Sequence, residues 1–122
     1  MAPSILVIDD DIVTQKMLKA TLTQAGYSVV VAGSGQEGIE KASLEHPGLI
    51  ILDIMMPGMD GGEVAGFLQM DPETSRIPII FLSSMIKENQ TRPAGGMGAI
   101  TYLTKPLDRD ELLNEIRKHL QP

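Results

Sequence analysis

The sequence predicts an α/β domain in which a parallel sheet carries helices on both faces. Three observations point to it. Strand-like and helix-like segments alternate five times along the chain, the pattern of right-handed strand–helix–strand crossovers. The runs LIILDIM (49–55) and IPIIFLS (77–83) are apolar without alternation, as in strands covered on both faces. Apolar residues make up 43% of the 122 residues and charged residues 21%, a balance that suits one packed core.

Each element has its own signals. Ser4 to Asp9 reads as the first strand. Residues 12–25 place Val13, Met17, Leu18, Ala20 and Leu22 at roughly helical spacing, and Gly26 is a suitable C-terminal stop. YSVVVA (27–32) is the second strand. Ser34 caps the next helix, with Glu37 three residues on in a capping-box pattern, and Pro47 and Gly48 end it. LIILDIM is the third strand. Asp60 opens a third helix over DGGEVAGFLQM, ending at Met70. IPIIFLS is the fourth strand and ITYL (100–103) a short fifth. The last helix, 108–120, is capped by Asp108 and sets Leu112, Leu113, Ile116 and Leu120 on one face. Residues 86–98 stand where a fourth helix belongs. Pro93, Gly95, Gly96 and Gly98 make that helix short, bent or irregular, since Pro costs ~3 kcal/mol and Gly ~1 kcal/mol in a helix interior.

Composition narrows the function. The chain has no Cys, so a disulfide framework and a thiolate metal site are excluded. The net charge of -6 disfavours nucleic acid and anionic membranes as partners. No segment approaches the ~20 apolar residues of a membrane span. The N-terminal MAPSILVIDDD reaches its acids too early for a signal peptide, so a cytoplasmic location is expected. No linker or repeat divides the chain. One domain is expected over 1–122, with its core at about 4–120. Aromatics are only 3%, so Ile, Leu, Val, Ala and Met must build the core, with most methionines as fillers.

Chemistry collects at the strand ends. Asp9 and Asp10 follow the first strand, and Asp53 lies near the end of the third. Parallel strands end on one edge, so neighbouring first and third strands would bring three carboxylates together. Such a cluster needs a compensating cation, and an all-oxygen ligand set suits Mg²⁺, with Mn²⁺ as an alternative. The fourth strand ends at Ser83 and Ser84, and the fifth runs into Lys105. Carboxylates, a hydroxyl, a lysine and Mg²⁺ are the parts that phosphoryl transfer uses.

The motifs VIDDD, LDIMMPGMDG, FLSS and YLTKP, in this order and spacing, resemble the receiver domain of bacterial two-component response regulators, over about Ser4 to Leu120. The resemblance implies a flavodoxin-like doubly wound (βα)5 fold, with a five-stranded sheet of order 2-1-3-4-5. It implies phosphorelay signal transduction by a phosphoacceptor switch, not an enzyme with free substrates. Asp53 resembles the phosphoacceptor. Asp9 and Asp10 resemble the Mg²⁺-holding pair, with Asp53 and the backbone carbonyl of Met55 as further ligands. Lys105 resembles the lysine that pairs with a phosphoryl oxygen. Ser83 resembles the hydroxyl that bonds the phosphoryl group, and Tyr102 the aromatic switch residue. Lys105–Pro106 matches a peptide bond that is cis in the family. The implied partners are a sensor histidine kinase or phosphotransfer protein, and a downstream protein or covalently linked output domain. The sequence ends at HLQP without an output domain, so it is expected to be a stand-alone receiver or a piece of a larger protein.

The same residues admit other readings. Asp10 or Asp11 taken alone could simply cap the first helix; beside Asp53 and Lys105 that role falls to Asp11. Asp60 is read as a cap, and His46 and His119 as helix-end residues without a chemical role. A degenerate receiver, serving only as an interaction module, is opposed by the complete set of site residues. A Mg²⁺-dependent aspartyl-phosphate phosphohydrolase would carry a second Asp two residues after the nucleophile, where Met55 stands. A flavodoxin-like binding module would have Ser, Thr and Gly where DDDIVT stands. Met55 and Met85 match positions that are often polar in the family. Their apolar character predicts a fairly long-lived acyl phosphate.

Overall fold

The computed structural model describes residues 4–83 and 100–120. The predicted 86–98 segment, Ser84 and Met85 lie outside the described residues. The elements run β1 (Ser4–Ile8), α1 (Ile12–Gln24), β2 (Ser28–Ala32), α2 (Gly35–Glu45), β3 (Leu49–Asp53), α3 (Gly61–Met70), β4 (Ile79–Ser83), β5 (Ile100–Thr104) and α4 (Arg109–Leu120). The strands form one parallel sheet in the order β2-β1-β3-β4-β5. This is the flavodoxin-like order expected from the motifs.

The continuous apolar runs are explained by a core on each side of the sheet. Ile5 and Val7 of β1 join Leu49 and Ile51 of β3 against Leu18 and Leu22 of α1 and Leu112, Leu113 and Ile116 of α4. Leu6 and Ile8 point the other way, with Ile50 and Leu52, onto Ala42 of α2 and Val64 and Leu68 of α3. Successive strand side chains face opposite sides, so a strand buried on both sides cannot show polar alternation.

Several boundaries differ from those read in the sequence. β1 stops at Ile8 and β3 at Asp53, so Asp9 and Met55 belong to the turns that follow. α2 ends directly before Pro47, as expected, with His46 as its cap in a left-handed conformation at φ 48°. Gly26 follows α1 at φ 100°, where a side chain would be strained, as its role as a stop requires. Asp11 and Asp60 cap α1 and α3, and Asp60 forms a full capping box with Glu63. The Ser34 cap is only half a box. Its hydroxyl accepts from Glu37 N–H at 3.2 Å, but the Glu37 carboxylate turns to the N–H of Gly33 at 2.8 Å and to Lys41 at 3.0 Å.

The apolar positions of α1 are only partly core. Leu18 and Leu22 are buried, while Val13, Met17 and Ala20 are exposed, because a helix resting on one sheet face buries a narrow stripe. Among the described residues the methionines are not mainly core either. Met56 is buried and Met59 partly so, but Met17, Met55 and Met70 are exposed. Among the described residues no helix is long and apolar enough to cross a membrane.

Candidate functional site: an acidic cluster at the strand ends

The register of the sheet builds the site. Ile8 pairs with Leu52, so the next residues, Asp9 and Asp53, leave adjacent strands at the same level. Asp9 follows Ile5 and Val7 in alternation, and Asp53 follows Leu49 and Ile51, so both carboxylates emerge on the side covered by α1 and α4. Lys105 follows Leu103 of β5 by the same rule. Its backbone N–H donates to the carbonyl of Ser83 at 2.9 Å, which ties the ends of β4 and β5 together.

Both aspartates are buried, and they are held alike. Oδ1 of Asp9 accepts the N–H of Asp11 at 2.9 Å, and Oδ1 of Asp53 accepts the N–H of Met55 at 3.1 Å. Each is an Asx-type contact two residues ahead. The second oxygen of each then faces the same cation. The Lys105 ammonium lies 3.4 Å from Asp9 Oδ2 and 3.6 Å from Asp53 Oδ2. Asp10, exposed at the rim, completes the cluster: one carboxylate oxygen from each of Asp9, Asp10 and Asp53 lies within 4.8 Å of the others.

The electrostatics follow from burial. Asp9 is pushed up from 3.8 to about 6, mainly because burial penalises its charged form. The N–H of Asp11 opposes this, the Asp53 charge adds to it, and Lys105 opposes it again. Asp11, by contrast, is lowered by the Thr14 hydroxyl and the Val13 N–H, as befits an exposed cap. Three carboxylates and one ammonium leave an excess of two negative charges when all are ionised. The donor set, three carboxylates whose oxygens lie within 4.8 Å of one another, therefore fits a divalent oxygen-seeking cation in charge and in ligand type.

The remaining candidates occupy other positions around this cluster. Met55 sits two residues past Asp53, its side chain 61% exposed. The Lys105–Pro106 peptide bond is cis, as the resemblance implied. Ser83 is buried at the end of β4, but in alternation it follows Ile79 and Phe81, on the α2/α3 side. Tyr102 packs on that side too, its ring stacked on Phe81 with centroids 5.2 Å apart. The structure thus gathers Asp9, Asp10, Asp53 and Lys105 on one side of the strand ends, and sets Ser83 and Tyr102 on the other. His46 stands 3.9 Å from Glu73 and His119 3.4 Å from Thr101, both away from the cluster.

Two residues escaped the sequence reading. Gln15 donates its side-chain amide to the carbonyl of Asp9. Gly61 donates its N–H to the carbonyl of Ile54 at 2.9 Å, and a Cβ there would stand 2.7 Å from the Asp53 carbonyl oxygen. No motif signals Gln15. The signal for Gly61 was its place just after the Asp60 cap, where a helix start meets the strand-end turn.

A family model, the response regulator receiver domain, matches residues 5–117, and the chain belongs to that family. Its place is in phosphorelay signal transduction, where receiver domains typically act as phosphoacceptor switches, generally not classed as enzymes. Such domains interact with histidine kinases, phosphotransfer proteins or output domains, and bind Mg²⁺ in their acidic site. Protein PilH of Pseudomonas aeruginosa is 37% identical over 92% of this chain and 93% of its own length. The regulator RpaA of Synechocystis is also 37% identical, but this chain spans only 49% of it. Among solved structures, chemotaxis protein CheY4 of Vibrio cholerae superposes with a TM-score of 0.90 at 30% identity, covering 98% of this chain and all of that one. CheY in the CheX–CheY–BeF₃–Mg²⁺ complex of Borrelia burgdorferi gives 0.85 at 28%, covering 95% of this chain and 87% of that one.

Proposed function

We propose that this chain is one receiver domain, with its core at about 4–120, that accepts a phosphoryl group on Asp53 with the help of Mg²⁺. The observation that supports this best is the convergence of Asp9, Asp10, Asp53 and Lys105 at one level of the sheet edge. In this reading Asp9, Asp10, Asp53 and the carbonyl of Met55 hold the metal. Bound Mg²⁺, or Mn²⁺ in its place, would supply positive charge against the phosphoryl oxygens.

The chain's own residues account for the rest. Asp53 Oδ1 is engaged by the Met55 N–H, which leaves Oδ2 as the nucleophile. It attacks the phosphorus of a phosphohistidine, the P–N bond breaks, and the freed imidazole nitrogen takes a proton. The product is an acyl phosphate on Asp53. Lys105, already 3.6 Å from Oδ2, stabilises the charge that builds on the phosphoryl oxygens. Burial of Asp53 keeps bulk water from competing with the donor.

The output follows from a redistribution between two states. From its place at the end of β4, the Ser83 hydroxyl moves toward the new phosphoryl group and bonds it, and Tyr102 follows. The donor in this reading is a sensor histidine kinase or phosphotransfer protein in the cytoplasm, and the recipient a downstream protein or linked output domain. Neither nucleic acid nor membrane is a direct partner. The chain catalyses only its own phosphorylation and dephosphorylation.

The chemical nature of the bond tests this. After incubation with acetyl phosphate and Mg²⁺, neutral hydroxylamine should strip the phosphoryl group, as it cleaves acyl phosphates. A group that resists hydroxylamine would be a phosphoester and would refute the assignment.

A further inference from the structure

We infer that Gln15 is a positioning residue for the cation site, acting through the backbone of Asp9; this rests on the reading of Asp9 and Asp10 as Mg²⁺ ligands. Asp9 lies past the end of β1, in the turn that leads into α1, and both of its backbone polar groups are tied. Its N–H donates to the carbonyl of Ala32 at 3.1 Å. Its carbonyl accepts the Gln15 side-chain amide. That carbonyl belongs to the peptide group joining Asp9 to Asp10, so fixing it fixes the plane from which both residues project.

The constraint matters most for Asp10. Its exposed carboxylate has no hydrogen-bond or ion-pair partner among the described residues, so its aim depends on the backbone that carries it. Gln15 is well placed to hold that backbone. It is half-buried in the first turns of α1, and its own N–H donates to Asp11 at 3.0 Å, closing the turn from the other end. Its amide also rests against the turn between β2 and α2, since a Cβ on Gly33 would stand 3.5 Å from Nε2. That turn is braced in its own right. Glu37 accepts the Gly33 N–H at 2.8 Å and pairs with Lys41, whose ammonium donates to the Val31 carbonyl at 2.7 Å. The braced turn before α2 thus flanks the Gln15 amide, which in turn holds the ligand turn through the Asp9 carbonyl. Gln15 adds no charge and touches no carboxylate of the cluster. Its effect is on geometry, as with the outer partners that orient metal ligands elsewhere.

Two substitutions separate geometry from charge. Gln15→Leu keeps the size and removes the donor. Gln15→Glu keeps the shape, puts an oxygen against the Asp9 carbonyl and adds a negative charge. Titration with Mg²⁺ by calorimetry at neutral pH should show affinity weakened about tenfold in both, with the thermal midpoints of the metal-free proteins nearly unchanged. The Glu variant is decisive, because a field effect alone would tighten Mg²⁺ binding. Unchanged affinity in the Leu variant, or tighter binding in the Glu variant, would overturn the inference. The metal-free parent provides a second readout: the Gln15 side-chain amide protons should exchange slowly by NMR, and free exchange would show that the contact is absent. A parent that binds no Mg²⁺ would refute the cation-site reading itself, and the positioning role with it, even if the amide were protected.

Discussion

The Lys105 ammonium stands 3.6 Å from Asp53 Oδ2, although β4 lies between the strands from which the two residues come. Next-but-one strands are about 9–10 Å apart, so the four-carbon stem of the lysine spans that gap along the strand ends. The same ammonium reaches Asp9 Oδ2 at 3.4 Å. One cation thus bridges two buried carboxylates, one just past the end of β1 and one at the end of β3.

If Lys105 stabilises the transition state, Lys105→Met should slow phosphorylation by acetyl phosphate on the order of 10²-fold, the usual effect of losing one preorganised charge contact. Initial rates from a quenched time course, at saturating Mg²⁺, check this. A rate within a few-fold of the parent would remove Lys105 from the mechanism.

Asp9 predicts a specific pH dependence. Its folded-state value, about 6, lies above the ordinary 3.8, so the folded protein holds this proton more tightly than the unfolded chain. Its contribution to metal-free stability is therefore greatest in acid and is lost as pH rises from about 4 through about 6. The loss is on the order of 2–3 kcal/mol. Denaturant unfolding of the parent and Asp9→Asn should give curves that diverge across that window, with the variant more stable above pH 7.

Metal binding should carry the opposite slope. Below about pH 6, binding must displace the Asp9 proton, so Mg²⁺ affinity should fall by up to tenfold per pH unit there and level off above it. Calorimetry in two buffers of different ionisation enthalpy would count the proton released. No release at pH 5 would show that Asp9 is not a ligand.

Met55 is 61% exposed, two residues past Asp53, and offers no hydrogen-bonding group to a water approaching the acyl phosphate. Met55→Asn should shorten the phosphoryl lifetime several-fold, measured by the decay of the phosphorylated mass after the donor is removed. A lifetime equal to the parent's would deny this position a role.

Gly61 should tolerate no side chain. A Cβ would press to 2.7 Å against both the Asp53 carbonyl oxygen and Ile54 Cα, which are backbone atoms that cannot swing aside. Gly61→Ala is expected to cost about 1–3 kcal/mol, the range for overpacking, read by urea unfolding. A neutral effect would mean that the turn after β3 yields easily.

Much of this was legible in the residues. The uninterrupted apolar runs of β1, β3 and β4 reported double-sided burial, and the alternation with helices reported a parallel sheet. Asp9, Asp10, Asp53 and Lys105 could be placed at strand ends because charge following an apolar run marks an edge. The two sides of the site were less legible. Only register and alternation reveal that Ser83 and Tyr102 share a side with Phe81, while Asp53 and Lys105 share the other. The exposure of Val13 and Met17 was hidden because apolar spacing does not say how wide a stripe the sheet will cover. Gln15 was invisible for a simpler reason: a side-chain amide bonding a carbonyl six residues earlier leaves no pattern in composition or period.

Asp53 should accept a phosphoryl group in a Mg²⁺-dependent reaction. Intact mass spectrometry after incubation with acetyl phosphate, with and without Mg²⁺, on the parent and on Asp53→Asn, tests it most directly. The parent should gain one phosphoryl group with Mg²⁺ and none without it, and the variant should gain none. Equal labelling of Asp53→Asn, or no labelling of a parent that binds Mg²⁺, would contradict it.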